Sequence, residues 1–454
     1  MTYTFNPHRH VKIWLTKDPD SFLNLENQIR LVNMRSVNQY DEIHLIYDRS
    51  LLSEKAFNDL TKFCEKHHIL SHDVQQNIIP FCQSVEEKRL ITIYQDEIQH
   101  LNEAGNVAVA SDILRWLKPI YTLGTYSDFD TNIDTRHLPS SMEVKQNILF
   151  NMGSVVVSGH FQQQEYELLQ LNNDIIAVVD PETAEPTIKQ IQCSLYEACY
   201  KPQSSEDSPF SAYVAWDKEG VEKLGLVFPQ SIQHQYLTVL AKIAEKRTSR
   251  ELRVEIIRQT ENNQIFCKEM AKMAVCDVAI GIREALVRVM EDRELPEKLI
   301  RESKKKLAMS DEDLVASSRE TCQSKLLKLS VTHTTGPGGL LVILFSPIYE
   351  VSSVEFTDTI IPYGLCHYGL EKAFQSGQHL AFHSTPAAYS QLMRSEIGEK
   401  NDCSWLSRGQ ALVQKREARI KKAASIIQQF YRENKLKNQM VDVADNVRNG
   451  LKIS

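Results

Sequence analysis

The sequence predicts an α/β fold: a mixed, mostly parallel sheet with helical insertions and a helical tail at the C terminus. Short apolar runs alternate with amphipathic helical segments over the first 130 residues, which is the order expected of a mostly parallel sheet. Two further extended segments follow between residues 147 and 180, and residues 233–329 are then almost wholly helical and heavily charged. Together these three observations define the fold class.

The first part of the chain alternates strand and helix. Apolar runs predict the strands, and apolar side chains near 3.6-residue spacing predict the helices. These elements are expected at residues 11–16, 22–34, 41–48, 51–67 and 86–103. A polar link is expected at residues 71–76. Ligands bind beyond the carboxyl ends of strands in such sheets, and Trp14, Asp48 and the pair Asp128 and Asp130 all fall at or near such ends.

The remaining elements predict a division of the chain into regions. Residues 147–159 and 167–180 are expected to be strands, residues 186–200 a helix, and the apolar run GLLVILFS at residues 339–346 a strand that returns the chain to the core. We therefore predict four regions: a core, a helical insertion, a return to the core and a basic helical tail. Their boundaries are 1–232, 233–330, 331–410 and 411–454.

Composition excludes several classes of protein. The chain has 454 residues, of which 42% are hydrophobic and 24% charged, as in an ordinary globular protein. Its nine cysteines are scattered without a Cys-x-x-Cys pair, so neither a disulfide framework nor a zinc site is expected. The N terminus lacks an apolar signal-peptide region, and no apolar run is long enough to span a membrane. We expect a soluble protein without a cleavable secretion signal.

Charge is distributed unevenly along the chain. Between Lys415 and Lys437 there are eight lysines and arginines against two glutamates, so this segment carries +6 and the rest −13 of the net −7. An acidic body argues against nucleic-acid binding, and one basic helix argues for a dedicated partner.

The segment AVASDILRWLKPIYTLGTYSDFD, residues 108–130, carries the main functional signal. An amphipathic stretch with Asp112 and Arg115 runs into a turn at Gly124, and a short strand then ends at Asp128-Phe129-Asp130. Two carboxylates at a strand end suit a magnesium- or manganese-type ion, which takes its other ligands from phosphates and water. The simpler interpretations are a solvated strand end and a surface ion pair.

This compound pattern resembles glycosyltransferases of the GT-A fold that carry a DXD sugar-binding region, such as the glucosylating domains of large clostridial toxins and related bacterial effectors. The pattern in those families is approximately A-x-x-S-D-x-x-R, a helix, a Gly turn and Y-x-D-x-D. The matching residues here are Ala108, Ser111, Asp112, Arg115, Gly124, Tyr126, Asp128 and Asp130. The segments IWLT around Trp14, THTTGPGGLL at residues 332–341 and NDCSWLSRG at residues 401–409 agree in order. Pro119 and Thr125 depart from the usual pattern.

The resemblance implies a role for each matching residue. Asp130 would bind Mn²⁺ or Mg²⁺ directly, with Asp128 acting through water or holding the ribose and Asp402 a third ligand. Asp112 and Arg115 would bind sugar hydroxyls and the diphosphate. Trp14 would stack on the nucleotide base, and Asn173 (or Asp174) would lie near the transferred sugar. Three further residues would contact the donor, namely Tyr126, Ser404 and Trp405.

The C-terminal tail carries a second signal. AASIIQQFYRENKLK, residues 423–437, resembles the calmodulin-binding IQ motif through Ile427, Gln428, Arg432 and Lys437, with Glu433 where glycine is commonest. An apolar stripe with basic flanks suits a Met-rich groove on an acidic partner. The alternatives are a basic helix that docks on the protein's own acidic body, and binding to a membrane surface.

The function expected from this resemblance is a metal-dependent, retaining transfer of a hexose from a nucleotide sugar, UDP-glucose or a related UDP- or GDP-hexose, to a host protein hydroxyl. The helical insertion would recognise the acceptor, and calmodulin would bind the tail. The resemblance further implies a secreted bacterial effector that acts in the eukaryotic cytosol. Two alternatives are a calmodulin-binding scaffold with a catalytically inactive transferase fold, and another metal-dependent nucleotidyl or phosphoryl transferase. The sequence has neither a Walker loop nor a kinase-type glycine-rich loop.

Overall fold

The structure is a computed structural model. It describes residues 2–129, 131, 133, 135–136, 138–144, 147–158, 165–201, 208–215, 232–273, 305 and 308–349. The segment NDCSWLSRG at residues 401–409 and the tail with its IQ-like segment lie outside these residues.

The strands form one large and one small sheet. The strands are β1 Tyr3–Phe5, β2 Arg9–Ile13, β3 Glu42–Tyr47, β4 Leu70–Asp73, β5 Thr125–Ser127, β6 Met142–Val144, β7 Ile148–Ser158 and β8 Glu165–Val178. The six-stranded sheet has the order β4-β3-β2-β5-β8-β7, and β1 pairs with β6 in a separate antiparallel ribbon. The pairs from β4 to β5 are parallel, and β8 is antiparallel to both β5 and β7. The predicted class, α/β with a mixed, mostly parallel sheet, is confirmed.

Helices cover both faces of this sheet. Among the described residues, the helices include α1 Leu25–Val37, α2 Glu54–Lys66, α3 Val85–Gln99, α4 Val107–Leu114, α5 Lys118–Tyr121, α6 Pro181–Tyr200, α7 Ile232–Ala244, α8 Ser249–Asn262, α9 Asp311–Thr332 and α10 Pro337–Tyr349. Several begin at sequence-encoded caps: Ser53 caps α2, and Ser84 with Glu87 forms a capping box at α3. Among the described residues, no helix is both long and apolar enough to span a bilayer.

Strand alternation divides the core into two clusters. Val11 and Ile13 of β2 pack with apolar side chains of α3, α4, α6 and α10, whereas Ile43 and Leu45 of β3 pack with those of α1 and α2. A third cluster, with Tyr236 in α7 and further members in α8 and α9, holds the helical region together. The sheet thus positions the loops that follow its strands.

Three predicted elements were wrong or misplaced. The run at residues 339–346 is helical, within α10, because a short buried apolar run has no periodicity to separate strand from helix and Pro337 favours a helical first turn. The polar link at residues 71–76 includes most of β4, an edge strand. Helix α6 begins at Pro181, where Asp180 caps it, and not at Pro186.

Candidate active site

A cleft of about 310 Å³ opens beside the residues that follow β2 and β5. Its wall includes most of the described residues that the sequence selects, which are Trp14, Ala108, Ser111, Asp112, Arg115, Tyr126, Asp128 and Asn173. Asn27 and Arg30 of α1 and the segment between α9 and α10 complete the wall. The cleft therefore brings together side chains from four distant parts of the chain.

Helix α4 presents Asp112 and Arg115 from one face. Asn106 caps its first turn by accepting hydrogen bonds from the backbone N–H groups of Ala108 and Val109. Asp112 and Arg115 are three residues apart and form an ion pair at 3.0 Å. Both are buried, at 6% and 5% exposure. Burial excludes the interpretation of this pair as a surface ion pair.

Gly124 allows β5 to lie close to β2. Its φ of +156° is one that side-chain-bearing residues rarely adopt, and a Cβ at this position would lie 2.5 Å from the backbone carbonyl of Arg9. Glycine at this turn therefore sets the distance between the strand that ends at Ile13 and the strand that ends at Ser127.

Arg115 organises the centre of the site. One terminal nitrogen donates to the backbone carbonyl of Asn173 at 2.5 Å, and the other donates to the Tyr126 hydroxyl at 2.9 Å. The guanidinium also lies 4.1 Å from the centroid of the Tyr126 ring. Its buried Nε–H has no partner among the described residues. A buried donor without a partner is costly, so the site suits an additional acceptor.

Tyr126 connects this arginine to the acidic strand end. Its hydroxyl accepts from Arg115 and donates to the carboxylate of Asp128. Burial raises the pKa of Tyr126 well above its ordinary value, and the Asp128 carboxylate raises it further against the opposing effect of Arg115. The phenol therefore stays protonated at neutral pH. The Asp128 side chain is 41% exposed and faces the cleft.

Asp112 is held by three other residues. Besides the ion pair with Arg115, it accepts from the side chain of Asn173 at 3.2 Å and from the hydroxyl of Thr335 at 2.8 Å. Burial raises the pKa of Asp112 to about 6, although Arg115 and both hydrogen bonds lower it. The Asp112 carboxyl therefore gains or loses its proton near pH 6, close to neutral pH.

Trp14 is one of the residues that line the cleft. It follows β2 directly, and its N–H extends the ladder by donating to Ile46 at 2.9 Å. The indole ring is half-buried and contacts the Phe22 ring edge-on, with the two centroids 6.0 Å apart. Because it lines the cleft as well as the core, one face of the ring is available for stacking.

Four residues of the site carry no role in the sequence interpretation. Asn27 and Arg30 line the cleft and hydrogen bond to each other at 2.7 Å. Thr335 fixes Asp112, and Lys12 donates to the backbone of Asp128. A lysine inside the apolar strand HVKI is a visible signal, whereas nothing local distinguishes Arg30 from other helix-surface arginines.

Other predicted site residues cannot be positioned. Asp130, proposed as the direct metal ligand, lies outside the described residues, as do Asp402, Ser404 and Trp405. The IQ-like residues lie there too, namely Ile427, Gln428, Arg432 and Lys437.

The described donor set fits a hard divalent cation that is shared with a ligand. Asp128 offers a half-exposed carboxylate in the cleft. Within the described residues there is no cluster of three or more metal-binding side chains. Mg²⁺ and Mn²⁺ are commonly bound by one or two carboxylates with phosphate and water as the remaining ligands, and the Asp128 carboxylate is of this type.

Comparison with known proteins relates the first part of the chain to one enzyme family. Residues 1–213 match the family model of Glycosyltransferase family 88, and these residues include every described side chain of the cleft except those between α9 and α10. Residues 1–213 thus match a glycosyltransferase domain. No curated protein matches the chain.

Solved structures give only distant similarity. PaToxG glycosyltransferase is 18% identical with a TM-score of 0.31, over 43% of this chain and 62% of that one. The chain therefore spans less than two thirds of that protein's length. The catalytic domain of alpha-toxin from Clostridium novyi is 11% identical with a TM-score of 0.29, over 87% and 81% of the two chains. The enzyme class therefore rests on the family match.

Proposed function

We propose that this protein is a metal-dependent, retaining glycosyltransferase that moves a hexose from a UDP-sugar, UDP-glucose or a close relative, to a protein hydroxyl. The observation that carries the proposal is the buried group of Asp112, Arg115 and Asn173 beside the Asp128 carboxylate in one cleft. This group offers acceptors and donors for sugar hydroxyls, together with a cation for a diphosphate.

Arg115 is the residue that we assign to the diphosphate. Its guanidinium stays charged at all relevant pH values, and its Nε–H is a buried donor without a partner among the described residues. As the glycosidic bond to the diphosphate breaks, negative charge grows on the leaving group. A pre-oriented cation in a partly dry cleft stabilises that charge more than water does.

Asp112 and Asn173 are assigned to the sugar. Asp112 accepts hydrogen bonds in its ionised form, and Asn173 is held beside it by its own amide donor. The two side chains can therefore receive and donate to adjacent hydroxyls and fix the ring above the acceptor. Trp14 would stack on the nucleotide base.

Asp128, together with Asp130, would hold the divalent cation. Bound there, Mn²⁺ or Mg²⁺ supplies Lewis-acid neutralisation of the diphosphate. Tyr126 supports this role because its hydroxyl fixes one oxygen of Asp128 and leaves the other free to face the cleft. Asp402, Ser404 and Trp405 are assigned to the same donor by resemblance.

A donor hydrolysis panel tests the enzymatic proposal. UDP-glucose, UDP-GlcNAc, UDP-galactose and GDP-mannose are offered with Mn²⁺ to the wild type and to an Asp128→Asn/Asp130→Asn double variant. Asp59→Asn, an exposed aspartate on α2 paired with Lys55, is the matched control. We expect one UDP-sugar to be hydrolysed by the wild type and the control, and the double variant to lose this activity. Equal activity in all three proteins, or none, would refute the proposal and favour an inactive scaffold.

We further propose that the tail binds calmodulin through residues 423–437, and that the protein acts as a bacterial effector in the eukaryotic cytosol. The support is the IQ-like pattern and the +6 charge of residues 415–437, which include it. A calmodulin pull-down with and without calcium tests it. Ile427→Glu should abolish capture, whereas Leu451→Glu in the same tail should not. Capture of both variants would contradict a specific site.

A further inference from the structure

Strand β2 contains a lysine that is almost wholly buried. Lys12 is 2% exposed and lies between Val11 and Ile13, which both belong to the apolar core. Placing an ammonium group in such an environment costs several kcal/mol unless hydrogen bonds compensate. A charge retained at this position therefore calls for an account of what it binds.

The ammonium binds the backbone of the acidic turn, defined here as residues 128–131. Its Nζ donates to the carbonyl oxygen of Asp128 at 2.6 Å and lies 3.4 Å from that of Thr131. It also lies 5.9 Å from the centroid of the Phe129 ring, within reach of a cation–π interaction. One buried cation thus contacts the first, second and fourth residues of the turn.

Other bonds fix the same backbone. The N–H of Thr131 donates to the carbonyl of Asp128 at 3.1 Å, which closes the turn. The N–H of Asp128 donates to the carbonyl of Asp174 at 2.8 Å. The Asp128 carbonyl oxygen therefore accepts from both the Thr131 N–H and the Lys12 ammonium. The turn's own hydrogen bond uses one lone pair of this oxygen, and Lys12 uses the other.

We propose that Lys12 is a positioning residue for cation binding, because it holds the acidic turn in the conformation that presents the Asp128 carboxylate to the cleft. The inference rests on the proposed function, in which this turn holds the divalent cation. Lys12 does not touch the ligand. A turn ordered during folding pays no ordering cost when the cation binds, so its affinity is higher.

The test compares two lysines that both donate to backbone carbonyls. Lys12→Met removes the ammonium at similar length, and Lys12→Gln keeps a shorter donor. Lys17→Met is the matched control, because half-buried Lys17 donates to the carbonyl of Gly105 at 3.1 Å, away from the acidic turn. The readouts are the Mn²⁺ dissociation constant from electron paramagnetic resonance of free Mn²⁺, and hydrogen exchange of the peptide covering residues 125–133.

We expect Lys12→Met to weaken Mn²⁺ binding by about tenfold or more, which is the size expected for loss of hydrogen bonds to a charged group. Lys12→Gln should fall between this variant and the wild type, and Lys17→Met should stay within about twofold of it. Exchange of the turn peptide should rise in the Lys12 variants alone, with circular dichroism verifying that each protein is folded.

Two failures are distinguishable. If the wild type binds Mn²⁺, Asp128→Asn does not, and folded Lys12→Met or Lys12→Gln binds as tightly as the wild type, the positioning role is overturned and the proposed cation site stands. If the wild type itself binds no Mn²⁺, the cation site is overturned and the role of Lys12 with it.

Discussion

Two buried arginine–carboxylate pairs in this molecule use the same residue types for different ends. Arg115 pairs with Asp112 in the cleft at 3.0 Å. Arg253 of α8 pairs with Glu97 of α3 at 2.5 and 2.6 Å, where the helical region meets the core. Each arginine is at most 5% exposed. Burial alone therefore does not identify the functional pair.

The difference lies in how completely each pair is satisfied. Arg253 donates to both carboxylate oxygens of Glu97, to the Ser249 hydroxyl and to the Ala104 carbonyl, and Glu97 also accepts from the N–H of Asn106. Arg115 instead has an unpartnered Nε–H among the described residues and lines a cleft. A closed network holds two parts of the fold together, whereas an open one can accept a ligand.

The sharpest test of this contrast replaces each arginine by lysine, which keeps the charge and removes the planar fork. Arg115→Lys should lower donor hydrolysis by about 10²- to 10³-fold, the loss typical of one preorganised transition-state donor. Arg253→Lys should leave the rate of the folded enzyme within about threefold of the wild type. Steady-state kinetics on both variants would contradict the contrast if the two losses were equal.

Removing the carboxylate of the Arg253–Glu97 pair should affect stability, whereas the arginine substitution in the cleft should affect activity. Glu97→Ala leaves the Arg253 charge buried without its partner, so we expect the free energy of unfolding to fall by about 3–5 kcal/mol. Urea unfolding measures it. Glu255→Ala, on the helix α8 that carries Arg253, breaks a more exposed pair with Arg258. It should lower the free energy of unfolding by only about 1 kcal/mol or less. Similar losses of stability in the two variants would show that the Arg253–Glu97 pair does not hold the core and the helical region together.

The Asp112–Arg115 pair in the cleft should also make the stability and the activity of the protein depend on pH. The pKa of Asp112 is raised to about 6 in the folded state from an ordinary 3.8, chiefly by burial. Between these two values the folded state holds a proton that the unfolded state has lost, so this residue's contribution to stability falls as pH rises through the window. Asp112→Asn lacks this titration. The wild type should therefore lose more stability than the variant between pH 4 and pH 6.

Activity should follow the opposite trend, because the ionised carboxylate is the form that accepts hydrogen bonds from a sugar. We expect kcat/KM for donor hydrolysis to fall as the pH drops below about 6, the pKa to which burial raises the Asp112 carboxyl. A limb with an apparent pKa near 4 would contradict this assignment.

The smallest expected effect comes from Thr335. Thr335→Val removes the hydroxyl that donates to Asp112 at 2.8 Å and keeps the side-chain shape. We expect the unfolding free energy to fall by about 1 kcal/mol and the pKa of Asp112 to rise, since this bond favours the charged form. Thr332→Val, in the same segment, should leave the acidic limb unchanged. No shift with Thr335→Val would mean that Asp112 is positioned by Arg115 and Asn173 alone.

The sequence predicted what is local and could not predict what depends on distant pairing. The strands β2, β3 and β5 and the pattern from Ala108 to Asp128 are visible because periodicity and spacing are properties of short segments. Thr335 meets Asp112 across 223 residues and Lys12 meets Asp128 across 116. The lysine itself stands out in its apolar strand, but nothing local indicates the partner of either residue. Helix α10 was mistaken for a strand because its residues are apolar on all sides.

The central claim is that Asp112 and Arg115 in the cleft bind the sugar donor. Calorimetric titration of UDP-glucose in the presence of Mn²⁺ tests it most directly. The account predicts binding to the wild type and to Arg253→Lys, and at least about tenfold weaker binding to Arg115→Lys. Equal affinity in all three proteins would place the donor elsewhere and contradict the claim.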